Sequence, residues 1–153
     1  MRNSLVVRCD LDGAIAMGEK NSLKLGATLG TTIGQNELPL SYQFFIGGQS
    51  HMKYFDNIIS FDGLKFTQLY GNHIALGKIS WQYNLYKNIY AIAKLNGGYI
   101  ANSYDTWFTD DNFVLGCGLT LGMETMAGPI EFSLMGSNRC SNLIGFFNVG
   151  YWF

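Results

Sequence analysis

Apolar residues fall on every second position of this chain, run after run, and that spacing constrains its fold more than any other feature. In LVVRCDLDGAIAM, Leu5, Val7, Cys9, Leu11, Ile15 and Met17 share one set of alternate positions, and Arg8, Asp10 and Asp12 lie on the other. Successive side chains of a strand point to opposite faces, so a period of two makes a ribbon with one apolar and one polar face. After the polar cluster GEKNS, Leu23, Leu25, Ala27, Leu29 and Ile33 repeat the scheme opposite Lys24, Gly26, Thr28, Gly30, Thr32 and Gly34. The two runs read as a hairpin. Further on, Ile79, Trp81, Tyr83 and Leu85 oppose Lys78, Ser80, Gln82 and Asn84. The pair KN then turns the chain tightly into Ala91, Ala93, Leu95 and Tyr99, which oppose Lys94, Asn96 and Gly98. Phe113, Leu115, Cys117, Leu119, Leu121 and Met123 oppose Gly116, Gly118, Thr120, Gly122 and Glu124. Past the short turn MAG, Ile130, Phe132 and Leu134 oppose Glu131 and Ser133. SNRCSN leads into the closing strand, where Leu143, Phe147, Val149, Tyr151 and Phe153 share a face. Seven long strands are expected.

Composition decides which face meets water. A soluble sandwich also alternates, but its outward face is well supplied with polar and charged residues. Here 14% of residues are charged against 48% hydrophobic and 15% aromatic, and the polar faces are mostly Gly, Ser, Thr and Asn. A transmembrane barrel turns its apolar residues toward lipid and its polar ones toward the lumen. The runs match the about 9–11 residues of a spanning strand rather than the about 5–6 usual in soluble sheets. None approaches the ~18 consecutive apolar residues of a spanning helix. Hydrocarbon offers no partner to backbone N–H and C=O groups, so such strands pair all the way round. The expected fold class is all-β, an antiparallel transmembrane β-barrel segment of seven to eight long strands filling residues 1–153. Arg8, Asp10, Asp12, Lys24, Lys78, Gln82, Lys94, Glu124 and Glu131 are expected to face the lumen. Trp81, Tyr83, Tyr99, Tyr151 and Trp152 suit the headgroup zones. On this assignment Leu119→Arg costs about 2–4 kcal/mol at mid-bilayer, and Thr120→Arg, facing the lumen, much less.

The alternation lapses over residues 35–71, a long folded loop inserted between strands, with one short strand expected near 42–46. Connections then run short, long, short, long, short, medium, as when tight periplasmic turns alternate with longer external loops; the C-terminus is periplasmic. Seven is odd, whereas bacterial single-chain barrels have even numbers. The chain is therefore either the C-terminal part of a larger barrel or, with 42–46 as an eighth strand, a small standalone barrel with a structural or binding role. A soluble sandwich or ligand-binding barrel is the third reading, and its water face would be poor in charge. A net charge of −1 leaves no footprint for nucleic acid. Arg2, Arg8, Asp10, Asp12, Glu19 and Lys20 break any signal-peptide apolar region, so if the chain is exported its address is expected upstream.

Candidate chemistry is sparse. Cys9, Cys117 and Cys140 are far apart and form no metal-spaced pair. GQSHM at 48–52 lacks the second glycine of a G-x-S-x-G elbow, so Ser50 is no nucleophile. Asp12, in DGA, lies in an alternating strand; His51, Asp56 and His73 have no identifiable nucleophile beside them. GATLGTTIG lacks the Lys-Ser/Thr ending of a phosphate loop, and its glycines ease strand curvature. Asp105, Asp110 and Asp111 do not have EF-hand spacing and belong to a solvated external loop. No catalytic residue, metal or cofactor is expected.

Five stretches resemble one family: FFIGG at 44–48, FDGLKFTQLYGN at 61–72, WQYNLYKNIYAIAKLNGGY at 81–99, GPIEFSL at 128–134 and the terminal NVGYWF. As a set they are similar to the C-terminal barrel of Bacteroidetes-type patatin-like phospholipases, within the bacterial surface antigen superfamily, over roughly residues 23–153. The resemblance implies a bacterial outer-membrane location and a sixteen-stranded barrel of which these are the last seven strands, with the 35–71 loop folded back into the lumen. It also implies an upstream patatin-like domain, a serine lipid acyl hydrolase with a Ser–Asp dyad, that the barrel anchors or exports. Partners would be the bilayer and the barrel-assembly machinery, which would read Phe147, Val149, Tyr151 and Phe153 as a C-terminal strand signal. The chain departs from the family in the loop, where QSHMKYFDN follows Gly48 in place of an Arg-Gly-Tyr-type tip.

Overall fold

A computed structural model describes residues 5–34, 40–49 and 57–150. Seven long strands form one antiparallel sheet: β1 (Leu5–Ala16), β2 (Asn21–Ile33), β6 (His73–Tyr86), β7 (Ile89–Ala101), β8 (Phe113–Thr125), β9 (Gly128–Ser137) and β10 (Cys140–Val149). Each pairs with its neighbour in sequence order, so the wall is a simple meander with β1 and β10 as its two edges. Tight turns hold the register. Lys87 and Asn88 join β6 to β7, with Tyr86 opposite Ile89, and Met126 and Ala127 join β8 to β9, with Thr125 opposite Gly128.

Between β2 and β6 the inserted loop builds a small sheet of its own. Here β3 (Phe44–Ile46) lies between β4 (Ile58–Ile59), which is parallel to it, and β5 (Leu69–Gly71), which is antiparallel. The short strand expected near 42–46 is thus present, but it does not join the wall. The eight-strand count that would make a small closed barrel has no support in this pairing.

The last connection also differs from expectation. Asn138 and Arg139 alone separate β9 from β10, and the pairing shifts register between Cys140 and Ile144. The irregularity absorbs the polar residues that, in sequence, resemble a longer loop.

Candidate functional site

The two faces of the wall have opposite fates. On β8, Leu119 is 67% exposed, whereas its neighbour Thr120 is 2% exposed. Leu115, Leu121 and Met123 follow Leu119 outward, while Val114, Gly116, Gly118 and Gly122 follow Thr120 inward. The apolar side is exposed across the sheet: Leu11 and Ile15 of β1, Leu25 and Leu29 of β2, Ile79 and Trp81 of β6, Phe132 and Leu134 of β9, and Phe147 and Val149 of β10 are all exposed, and on the edge strand β1 the polar side is exposed too. A soluble sandwich would bury this side between layers. Here the apolar side is the outside.

The inserted loop covers the other face. Phe44, Ile46, Ile59, Phe61 and Leu64 from the loop pack with Ile74 and Leu76 of β6, Ile100 of β7 and Val114 of β8 in one dry cluster. Glycines on the wall make this approach possible. A methyl group on Gly116 would overlap the Asp62 carbonyl oxygen, and one on Gly30 would press into the Phe44 ring. Gly30, one of the glycines expected to ease curvature, therefore serves as room for the loop.

Asp62 is the polar centre of this contact. Its carboxylate accepts from Asn96 Nδ2 on β7 at 2.5 Å and from Gln49 Nε2 in the loop at 2.8 Å, and Lys94 Nζ lies 3.8 Å away. Asn96 is only 1% exposed, so without Asp62 its amide would be buried without this partner. On either side, Lys78 donates to Ser60 at 2.9 Å, and the Ser137 hydroxyl donates to the Gly63 carbonyl at 2.7 Å. Gly63 adopts φ +87°, a region other residues rarely enter, and a side chain there would overlap Gly136 of β9. Phe61, Asp62 and Gly63 thus form a knob seated on β7, β8 and β9.

An apolar outer face, a polar inner face and a loop folded onto the inner one are the ingredients of a membrane barrel wall. The chain matches the model of the OMP85 superfamily over residues 2–153. It belongs to that superfamily. As an OMP85-superfamily chain it is an outer-membrane β-barrel module that meets the bilayer. No curated protein matches it in sequence.

In this OMP85 chain the expected lumen residues sort into separate groups. Arg8 and Asp10 pair at 2.6 Å on β1, and Thr28 also donates to Asp10, at 2.8 Å. Lys78 and Lys94 reach the loop, as described above. Tyr90, which the alternation places on the polar face, lies across Gly122 and donates to Glu131 at 2.7 Å. Gln82 bonds to Asn84 at 3.3 Å on the same strand. Asp12 and Lys24 line a separate groove, and Glu124 sits at the exposed end of β8.

Thr120 is not the open lumen position it was expected to be. It exchanges a hydrogen bond of 2.7 Å with Ser133 and is shut in by the inner face, so an arginine there would break a packed contact. Phe147 and Val149 are exposed on the edge strand, whereas Tyr151, Trp152 and Phe153 lie outside the described residues. Ser50, His51 and Asp56 also lie outside them. His73 is 3% exposed: its Nδ1 meets Thr31 Oγ1 at 2.9 Å, and its ring lies 3.9 Å from that of Tyr104, so it is a packed strand-end residue. Asp105, Asp110 and Asp111 fall in two single-turn 3-10 helices, and Arg139 donates to the Asp111 and Phe113 carbonyls. Cys9 and Cys117 are exposed on the apolar side, and Cys140 contacts Gln68 at 3.2 Å.

Sequence reasoning missed Asp62. Its trace was available in the interruptions of the alternation at Ile74, Leu76, Ile100 and Val114, apolar residues on the polar side.

Proposed function

We propose that this OMP85-superfamily chain is the C-terminal segment of a larger, sixteen-stranded barrel that anchors or exports a patatin-like lipid acyl hydrolase domain. Strand direction carries the first half of the reading. Seven strands alternate in direction across the meander, so β1 and β10 run the same way. Antiparallel closure then requires an odd number of further strands, and nine satisfies this as it completes sixteen. Copies of this chain placed side by side in one membrane orientation would meet β10 to β1 in parallel, so they do not supply the missing strands. Unpaired edges cannot remain in hydrocarbon, where each orphaned backbone group costs several kcal/mol.

The exposed faces support a lipid-facing role for Leu119 and its outward neighbours. Aromatic rings cluster at two levels, Trp81 with Tyr83 near the tight turns and Tyr99 with Phe108 and Phe113 near the longer loop. On β7, Ala91 lies opposite Tyr83, eight residues from Tyr99. At about 3.4 Å per residue and about 40° tilt that is about 21 Å along the membrane normal, near the ~25 Å apolar band of such barrels. Phe147, Val149, Tyr151 and Phe153, on or just beyond a strand with one unpaired edge, are suited to capture by strand addition in the barrel-assembly machinery.

The patatin half rests on the five sequence stretches given above. It is tested by the reading frame upstream of Met1 and by acyl-ester hydrolysis with the full-length product. A G-x-S-x-G elbow upstream, with hydrolysis abolished by Ser→Ala at that elbow, is the expected result. A signal peptide directly preceding Met1 would refute it in favour of a standalone barrel.

A further inference from the structure

The connection between β7 and β8, residues 102–112, bends over the outer side of the wall and reaches across β6 to β2. The Tyr104 ring centre lies 3.9 Å from that of His73, the first residue of β6, and its hydroxyl exchanges a hydrogen bond of 2.9 Å with Thr31 Oγ1 of β2. Trp107 stands 5.2 Å from the His73 ring, and Phe108 lies 5.3 Å from the ring of Tyr99 on β7. Thr31, His73 and Tyr99 occupy odd positions on their strands, as do the exposed Leu29, Ile79 and Leu95, so all belong to the apolar side. His73 is buried on a side that is otherwise open because this connection covers it.

A segment laid beside hydrocarbon must satisfy its own backbone. Here Trp107, Thr109 and Asn112 donate their N–H groups to the carbonyls of Tyr104, Thr106 and Thr109. The Thr106 carbonyl also accepts from Thr109 Oγ1 at 2.8 Å and from Asn112 Nδ2 at 2.6 Å. Two rings nevertheless stay open: Phe108, stacked on Trp107 at 5.1 Å, is 66% exposed, as much as Leu119, and Tyr104 is more than half exposed. The ring patch continues into the apolar wall. On β2 Thr31 stands between Leu29 and Ile33, and on β8 Leu115 follows Phe113; Leu29, Ile33 and Leu115 are all exposed.

We propose that the β7–β8 connection is a membrane-interface anchor, whose Tyr104 and Phe108 rings enter the boundary between lipid headgroups and acyl chains beside the barrel. The partner is the bilayer surface, because the patch is continuous with the face that meets lipid. Level supports this: the connection starts just past the Ala101–His73 pair, beyond Tyr99, at one edge of the apolar band. Aromatic rings favour that zone, whereas the carboxylates of Asp105, Asp110 and Asp111 stay in the aqueous layer. The inference rests on the lipid-facing reading of the outer face and adds a contact borne by a loop, which strand alternation does not supply.

The test uses the full-length protein with its native cysteines replaced by alanine, in phosphatidylcholine vesicles, carrying a small fluorophore on Phe108→Cys, Asp110→Cys or Leu119→Cys. Heat-dependent gel mobility checks that each is folded. Quenchers are lipids brominated near the carboxyl end or near the middle of the acyl chain, and aqueous iodide. The label at 108 is expected to be quenched more by the shallow bromine than by the deep one and to be shielded from iodide. At 110 iodide should dominate, and at 119 the deep bromine. Iodide quenching alone at 108, equal behaviour at 108 and 110, or shielding of 108 from every quencher, as a second copy or a protein partner seated there would give, overturns the anchor while a lipid-quenched label at 119 leaves the outer-face reading standing. Loss of lipid quenching at 119 as well overturns both. If the cysteine-free protein does not insert, the unmodified protein is photolabelled with a phospholipid whose reactive group lies next to the glycerol: adducts within residues 104–108 support the anchor, and adducts confined to the strands overturn it.

Discussion

An arginine placed at successive depths on the outer face of β8 measures whether that face meets hydrocarbon. The strand runs over 13 residues, Phe113–Thr125, and its twelve steps of about 3.4 Å at about 40° tilt rise about 31 Å, a little more than the ~25 Å apolar band. Leu119 is its seventh residue and falls near the midplane; Met123, four steps on, lies about 10 Å from it, close to the interface. Both side chains point outward and are exposed. Leu119→Arg is therefore expected to destabilise the barrel by about 2–4 kcal/mol and Met123→Arg by about 0–1 kcal/mol. Gln82→Arg is the inner-face control, because Gln82 is half-buried and its amide makes one exposed bond, to Asn84; a change within about 0.5 kcal/mol is expected there. Thr120 is unsuitable as that control because its hydroxyl is paired with Ser133 in a closed position. The assay is denaturant unfolding of the full-length protein in lipid vesicles, followed by tryptophan fluorescence. If Met123→Arg costs as much as Leu119→Arg, or Leu119→Arg as little as Gln82→Arg, the outer face is not set in a bilayer at this depth.

The seated loop gives three further expectations. Gly63→Ala combines a disfavoured φ with overlap on Gly136, so it should cost about 2–4 kcal/mol and expose the chain between 57 and 72 to limited proteolysis. Asp62→Ala leaves the Asn96 amide without its acceptor and should cost about 1–3 kcal/mol, and the loss should shrink when Asn96→Ala is already present, as a double-mutant cycle in urea would report. Gly122→Ala forces the Tyr90 ring off its seat and should cost about 1–3 kcal/mol, a penalty that disappears in a Tyr90→Ala background, whereas Tyr90→Phe removes only the bond to Glu131.

The wall was legible because alternation is a statement about two faces, and a strand that separates two media must obey it over its full length. Leu119 and Thr120 could be assigned to opposite sides from sequence, and the tight turns at Lys87 and at Met126 could be placed beside the strands they join. The inserted loop was not legible in the same way. Its strands are two or three residues long, too short for a period to register, and one of its pairings is parallel. Asp62 was hidden for a related reason. Its partners Asn96 and Lys94 lie more than thirty residues away in sequence, and spacing along a chain carries no information about contacts of that range.

An inside-out sheet reverses the meaning of an irregular residue. In a soluble protein an apolar side chain on the water face is commonplace, because folded surfaces are largely apolar anyway. On the polar face of this wall the same residue needs a dry partner. Ile74, Leu76, Ile100 and Val114 lie on three adjacent strands toward one end of the sheet, and they are the residues on which Phe44, Phe61 and Leu64 pack. Toward the other end the polar face keeps Lys24, Ser80 and Gln82, and there the groove stays open. The division between a filled level and an open level of the inner face is thus encoded in where the alternation fails. The loop, with its own strands and its buried Phe61–Gly63 knob, is held at that level by glycine and by Asp62 rather than by any covalent tie among the described residues.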